Sequence, residues 1–96
     1  MKIANRQAQS FVERRQRFDG SHLFARHERA GVYVVYSYGY HFPIYAHIDG
    51  VWYANCDKYS VSTSRHQSQA RPIFDTVKVG TDELKNLVAG RVNVLA

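Results

Sequence analysis

"VYVVYSYGYHFPIYAHIDGVWYANC", residues 32–56, decides the fold. It is crowded with β-branched and aromatic residues, the side chains that strands favour. Gly39 interrupts the first run. Asp49-Gly50 is a two-residue turn signal, because both central positions of a type I′ hairpin need positive φ. The stretch reads as a three-stranded antiparallel meander, about Val32–Tyr38, Phe42–Ile48 and Val51–Cys56. A two-residue turn also sets the pairing: Ile48 opposite Val51, His47 opposite Trp52, Ala46 opposite Tyr53 and Tyr45 opposite Ala54. Side chains alternate between faces. Phe42, Ile44, Ala46, Ile48, Val51 and Tyr53 are therefore expected on one face, the better core face. Tyr45, His47, Trp52, Ala54 and Cys56 fall on the other. If Trp52 and Tyr45 pack under a helix, the opposite face must meet the second helix and the sheet is sandwiched. Pro43 cannot donate to a ladder, so it is placed at the start of its strand.

Outward from the meander, the pattern turns helical on both sides. Ala8, Phe11, Val12 and Arg15, with Ile3 or Ala4 before them, recur at i, i+3, i+4 and i+7, which predicts a helix from about Asn5 to Arg17. Asp19-Gly20 signals a turn. "SHLFARHERA" (21–30) is too short to assign by periodicity. On the C-terminal side Pro72 stops any helix, and "FDTVKV" (74–79) reads as a short strand. "GTDELKNLVAGR" (80–91) reads as a helix. Thr81 is its expected N-cap, Asp82 and Glu83 sit in the positive first turn, Leu84, Leu87 and Val88 share a face, and Gly90 terminates it. "RVNVLA" (91–96) is a last short strand or a tail. The summed expectation is a single α+β domain over residues 1–96. It is a small antiparallel sheet of three or more strands with an N-terminal and a C-terminal helix.

Composition narrows the class of partner. The 96 residues carry a formal charge of +5, and seven of the fourteen-percent aromatic fraction's side chains are tyrosines. The charge is uneven. Residues 1–30 hold Lys2, Arg6, Arg14, Arg15, Arg17, Arg26 and Arg29 against three acids, and residues 61–80 hold Arg65, Arg71 and Lys78 against Asp75. A basic N-terminal third favours anionic partners such as nucleic acid or an acidic protein surface. The plainer alternative is a solvated helix face. Cys56 is the one cysteine, so no internal disulfide forms, as suits a reducing cytoplasm. No apolar run approaches the ~20 residues of a membrane span. The N-terminus lacks the apolar core of a signal peptide.

Between the meander and Pro72 lies a segment of a different kind. From Ser60 to Gln69 there are four serines, a threonine, two glutamines, an arginine and a histidine, with Val61 as the one apolar side chain. Ser64 and Gln67 have capping-box spacing, which allows a short helix from about Arg65 to Ala70. The alternative is an ordered loop in which hydroxyls satisfy local backbone groups. Either way Ser64, Arg65, His66, Gln67 and Arg71 supply donors of the sort that phosphate oxygens accept. Tyr45, His47 and Trp52 on the adjoining sheet face form a candidate platform for stacking bases. A solvated loop beside an ordinary core face is the competing reading.

The segment carries a resemblance as well. Tyr36-Ser37-Tyr38-Gly39, His41-Phe42-Pro43, Trp52-Tyr53, Asp57-Lys58-Tyr59-Ser60 and Thr63-Ser64-Arg65-His66-Gln67 resemble the shared segment of a family of small proteins of bacteriophages and other mobile elements. The match covers about 40 residues and leaves out both terminal helices. It implies a phage-like setting and no particular chemistry. Small accessory proteins of such elements commonly bind nucleic acid or inhibit host nucleoprotein machinery.

Chemistry of other kinds finds little footing. His22, His27, His41, His47, His66 and Cys56 show no HxxxH, HExxH or CxxC spacing, and His41 and His47 lie ~20 Å apart along a strand. No metal or cofactor is expected. Cys56 with His66 or His41, or Ser64 with His66 and Asp57, can be drawn as nucleophilic constellations, yet such sets are defined by geometry. Cys56 reads better as a small buried hydrophobe. The expectation is a non-enzymatic accessory protein that engages nucleic acid or a host nucleoprotein complex. The alternatives are an inhibitor of a host defence complex, of the anti-CRISPR kind, acting by protein contact, and a small hydrolase centred on His66.

Overall fold

The computed structural model describes residues 2–40, 42–57, 61–72 and 74–90, with the backbone alone over 61–64. A 3-10 turn at Asn5–Gln7 leads into helix α1, Ala8–Glu13. Strands β1 (Phe18–Asp19), β2 (Leu23–Arg29), β3 (Val32–Ser37), β4 (Pro43–Ile48) and β5 (Val51–Asn55) follow, then α2 (Val61–Gln69), β6 (Val77–Val79) and α3 (Thr81–Val88). Among the described residues the six strands form one sheet in chain order, β1 to β6. All neighbours run antiparallel except β5 and β6, which are parallel and joined through α2. A parallel pair needs such a crossover, and the polar segment supplies it.

The meander forms as its residues dictate. Asp49 and Gly50 take φ of 49° and 87°, the left-handed pair of a type I′ turn. Ile48 pairs with Val51, His47 with Trp52, Ala46 with Tyr53 and Tyr45 with Ala54, as expected. The ambiguous segment 21–30 becomes β2, paired along β3. Pro43 opens β4.

One irregularity redistributes the core. Val35 pairs with Tyr45 but Tyr36 pairs with Pro43, so Ile44 is an extra residue in a β-bulge. The slip turns Phe42 and Ile44 onto the face of Tyr45 and Trp52, away from Ala46 and Ile48. The expected single core face is corrected accordingly. Both faces are buried. Ala8 and Val12 of α1 and Ala70 after α2 pack with Leu23, Tyr33, Val35, Tyr45 and Trp52 on one side. Leu84, Leu87 and Val88 of α3 pack with Val32, Val34, Tyr36, Ala46 and Ile48 on the other. The sandwiched sheet is what burial of Trp52 under a helix required.

The helices also depart from expectation in detail. α1 ends at Glu13, four residues short of Arg17. Gln16 N–H donates to the Phe11 carbonyl and Arg15 N–H to the Val12 carbonyl, with Arg15 at φ 51°. That is a left-handed helix stop with arginine where glycine usually sits. α2 begins at Val61, so Ser64 lies inside it and no capping box starts there. Thr81 is the first helical residue of α3, not its N-cap, and Gly80 holds that position. The cap arrives from outside, where the Asp57 carboxylate accepts from both Thr81 N–H and Thr81 Oγ1–H at 2.8 Å. Gly90, at φ 75°, closes α3 as expected. The expected strand or tail at 91–96 lies outside the described residues, as do His41 and 58–60 of the resembling segment.

Candidate functional site

The polar segment proves to be the docked crossover helix. A helix so poor in apolar residues is seated by hydrogen bonds. The Tyr45 hydroxyl donates to the Gln67 carbonyl at 2.7 Å, and Gln67 Nε2 donates to the Asn55 carbonyl at 3.0 Å. His66 is 6% exposed, with Nδ1 2.8 Å from Ser37 Oγ. Its ring lies against Tyr38, whose ring also stacks with His22 at 4.8 Å between centroids. Burial, helped by the positive neighbours His22 and Arg65, holds His66 below its ordinary value. His66 and Gln67 are thus architectural. The Ser64 side chain lies outside what is described, and Arg65 is exposed on the outer side of α2.

The open stacking platform is corrected too. Trp52 is 5% exposed and Tyr45 is buried beside it, both inside the core cluster that α1 covers. The expected His47–Trp52 contact is present, edge to face at 4.9 Å. It belongs to a row of rings across four strands, His27, Tyr33, His47 and Trp52. Burial first and Arg15 second hold His47 below its ordinary value.

What the fold does open is a groove along this same face, made of connected clefts. A cleft of about 380 Å³ is lined by Tyr45, Ala54, Asn55, Cys56, Gln67, Ser68, Arg71 and Lys78. Tyr45, Ala54, Arg71 and Lys78 also line the next, of about 310 Å³, with Pro72, Phe74, Asp75 and Thr76. Phe74 and Asp75 continue into a third, of about 450 Å³, with Arg15, His47, Gly50, Val51 and Trp52. Arg15, His47 and Gly50 lead on to a fourth beside His27 and Asp49. The groove thus gathers Tyr45, Gln67, Arg71, His47 and Trp52 of the expected site and leaves out Arg65 and His66. Arg71 lies close enough to the Tyr45 hydroxyl to pull against the rise that burial imposes on its pKa.

Three lining residues escape a reading of the sequence: Arg15, Phe74 and Lys78. Arg15 looks like part of a helix face until the helix stops short. Phe74 and Lys78 sit in a strand segment whose neighbour was unknown. Cys56, expected to be buried, is exposed in the first cleft. Asp57 is engaged with Thr81, so the Ser64–His66–Asp57 constellation is not assembled. Among the described residues no group of three or more His, Cys, Asp or Glu side chains converges as a metal site. No helix among them is long and apolar enough to cross a membrane.

Comparison with protein-family models, with curated proteins and with solved structures finds no significant match.

Proposed function

We propose that the protein is a non-enzymatic accessory protein that binds nucleic acid along this groove. The observation that carries the reading is the state of the cations. Among the described residues the one ion pair is Arg26 with Asp19, 2.5 Å apart. Arg15, Arg71 and Lys78 line the groove without an acidic partner, against Asp75 between them and Asp49 at one end. Exposed cations left unneutralised along a continuous track are the electrostatic footprint of a polyanion site. The net charge of +5 and the resemblance to mobile-element proteins agree with that setting.

The hydrolase reading is weaker on this geometry. The Ser37–His66 pair has a serine histidine contact of the right length, but Ser37 is 0% exposed, so substrate has no route to its hydroxyl. An inhibitor acting by protein contact finds support in Tyr38 and Tyr40, which are large exposed rings at the β3–β4 loop. Tyr and Arg are the side chains that anchor such interfaces. The groove favours nucleic acid, because its three cations, Arg15, Arg71 and Lys78, are exposed and outnumber its two carboxylates, Asp75 and Asp49.

Titration of fluorescent DNA and RNA, single and double stranded, at about 50 and 200 mM salt tests the reading. Affinity is expected to fall steeply with salt. Arg71→Ala with Lys78→Ala is expected to lower the log–log salt slope by roughly two, about one per phosphate contact, with the circular dichroism unchanged. Absence of binding to every probe at low salt sinks the proposal and leaves the protein-contact reading.

A further inference from the structure

We infer that the groove takes single-stranded nucleic acid in preference to duplex, with a base laid on Phe74 and its flanking phosphates held by Arg71 and Lys78 on one side and by Arg15 on the other. This rests on the reading of the groove as a nucleic-acid site. Phe74 is the centre of the arrangement. The ring is 53% exposed and lines both central clefts, so it stands between the two cationic stretches. A large apolar ring kept half in water on a track of cations matches the construction of sequence-tolerant single-strand sites. There aromatic rings stack successive bases while Lys and Arg follow the backbone.

Asp75 sharpens the placement. It lines the same two clefts as Phe74. Its carboxylate repels phosphate at the middle of the groove and leaves that position to an uncharged base. The backbone is then directed to the cations at either side. Bases of a duplex are stacked on one another along the helix, so their faces are closed to Phe74. An unstacked strand offers them freely. The helices bordering the groove fit the same conclusion. α1 seats Ala8 and Val12 on the sheet, and α2 seats His66 there, so both lie flat against the core. Reading a duplex directly calls for a helix or ribbon that projects into the major groove.

The experiment compares a fluorescent thymine oligonucleotide with a duplex of equal length at low salt, using the wild-type chain, Phe74→Ala and Phe74→Trp. The wild type is expected to prefer the single strand. Phe74→Ala is expected to weaken single-strand binding roughly 5- to 150-fold, the loss of one stacked base, with the salt slope unchanged. Phe74→Trp is expected to retain binding, which separates stacking from any loss of fold. Equal or tighter binding of duplex, or a Phe74→Ala variant that binds as the wild type does, overturns the single-strand inference while the polyanion reading stands. Binding of neither probe, and of none of the RNA probes of the salt titration, overturns both.

Discussion

Among the described residues four that are not glycine hold positive φ: Arg15, His22, Tyr38 and Asp49. Asp49 is accounted for by its turn. His22 and Tyr38 support one another, since Tyr38 N–H donates to the His22 carbonyl at 2.8 Å and their rings stack. Arg15 has no such ring partner. It pays a steric cost of about 1–2 kcal/mol for a left-handed conformation that glycine adopts freely. The position lines the groove and neighbours His47. Strain of this kind collects where a side chain is needed for something other than folding. Arg15→Gly is expected to stabilise the fold by roughly 0.5–1 kcal/mol, after glycine's own entropic cost of similar size is subtracted. That corresponds to a rise in Tm of about 3–5 °C for a domain of this length. The same variant is expected to bind nucleic acid more weakly. Thermal melts beside a binding titration check both, and a fall in Tm refutes the account of the strain.

α2 and α3 are both fastened by polar contacts at the end of β5. Asn55 Nδ2 donates to the Pro43 carbonyl and to Thr81 Oγ1, and Asp57 holds Thr81 from beside it. The two bonds from Thr81, the backbone one first, keep the Asp57 carboxyl below the usual carboxylate range. A lowered carboxyl stabilises the fold above its unfolded pKa, and that contribution is lost as pH falls through the folded value. Asp57→Ala is therefore expected to have a lower Tm than wild type at pH 7. The gap is expected to start narrowing as pH falls past about 4, the value of an unfolded carboxyl. It is expected to close as pH passes below the lowered folded value, where the folded wild-type carboxylate is protonated too. Melts of both proteins from neutral to acid pH measure it. A gap that persists at low pH means Asp57 acts by packing and not as a capping anion.

Helices cover both faces of the sheet and enclose His66 and, in part, His47, while His27 at the end of β2 stays exposed. His66 links α2 to the end of β3 through Ser37, and its pKa is lowered chiefly by burial. His47 is lowered for the same first reason. In each case the unfolded chain takes up the proton more readily than the folded one. The stability associated with their neutral forms is full above about pH 6.5 and is lost as pH falls through the depressed folded values. Tm is expected to decline between pH 7 and 5, a window separate from that of Asp57. His66→Gln is expected to be less stable than wild type at pH 7, with a shallower decline. A wild-type Tm that stays flat across that window removes the claim.

The hairpin, its register and the C-terminal helix were legible because each rests on local rules. Asp49-Gly50 admits one turn geometry, and that turn leaves one pairing for His47 and Trp52. Gly90 stops α3 through a conformation available within a single residue. The sandwich of helices on both faces followed once Trp52 was granted a cover. Contacts between distant segments settled the remainder. The bulge at Ile44, which carries Phe42 and Ile44 across the sheet, arises where Pro43 meets Tyr36 of another strand. Asp57 caps a helix 24 residues away. Above all, β6 comes to lie parallel to β5, opposite Ala54 with Lys78, through a helix that its own composition left undecided. That placement sets Arg71, Phe74 and Lys78 on the same groove as Arg15. No spacing along the chain encodes it, because the energy that selects it comes from burial and hydrogen bonds between segments that are neighbours only after folding.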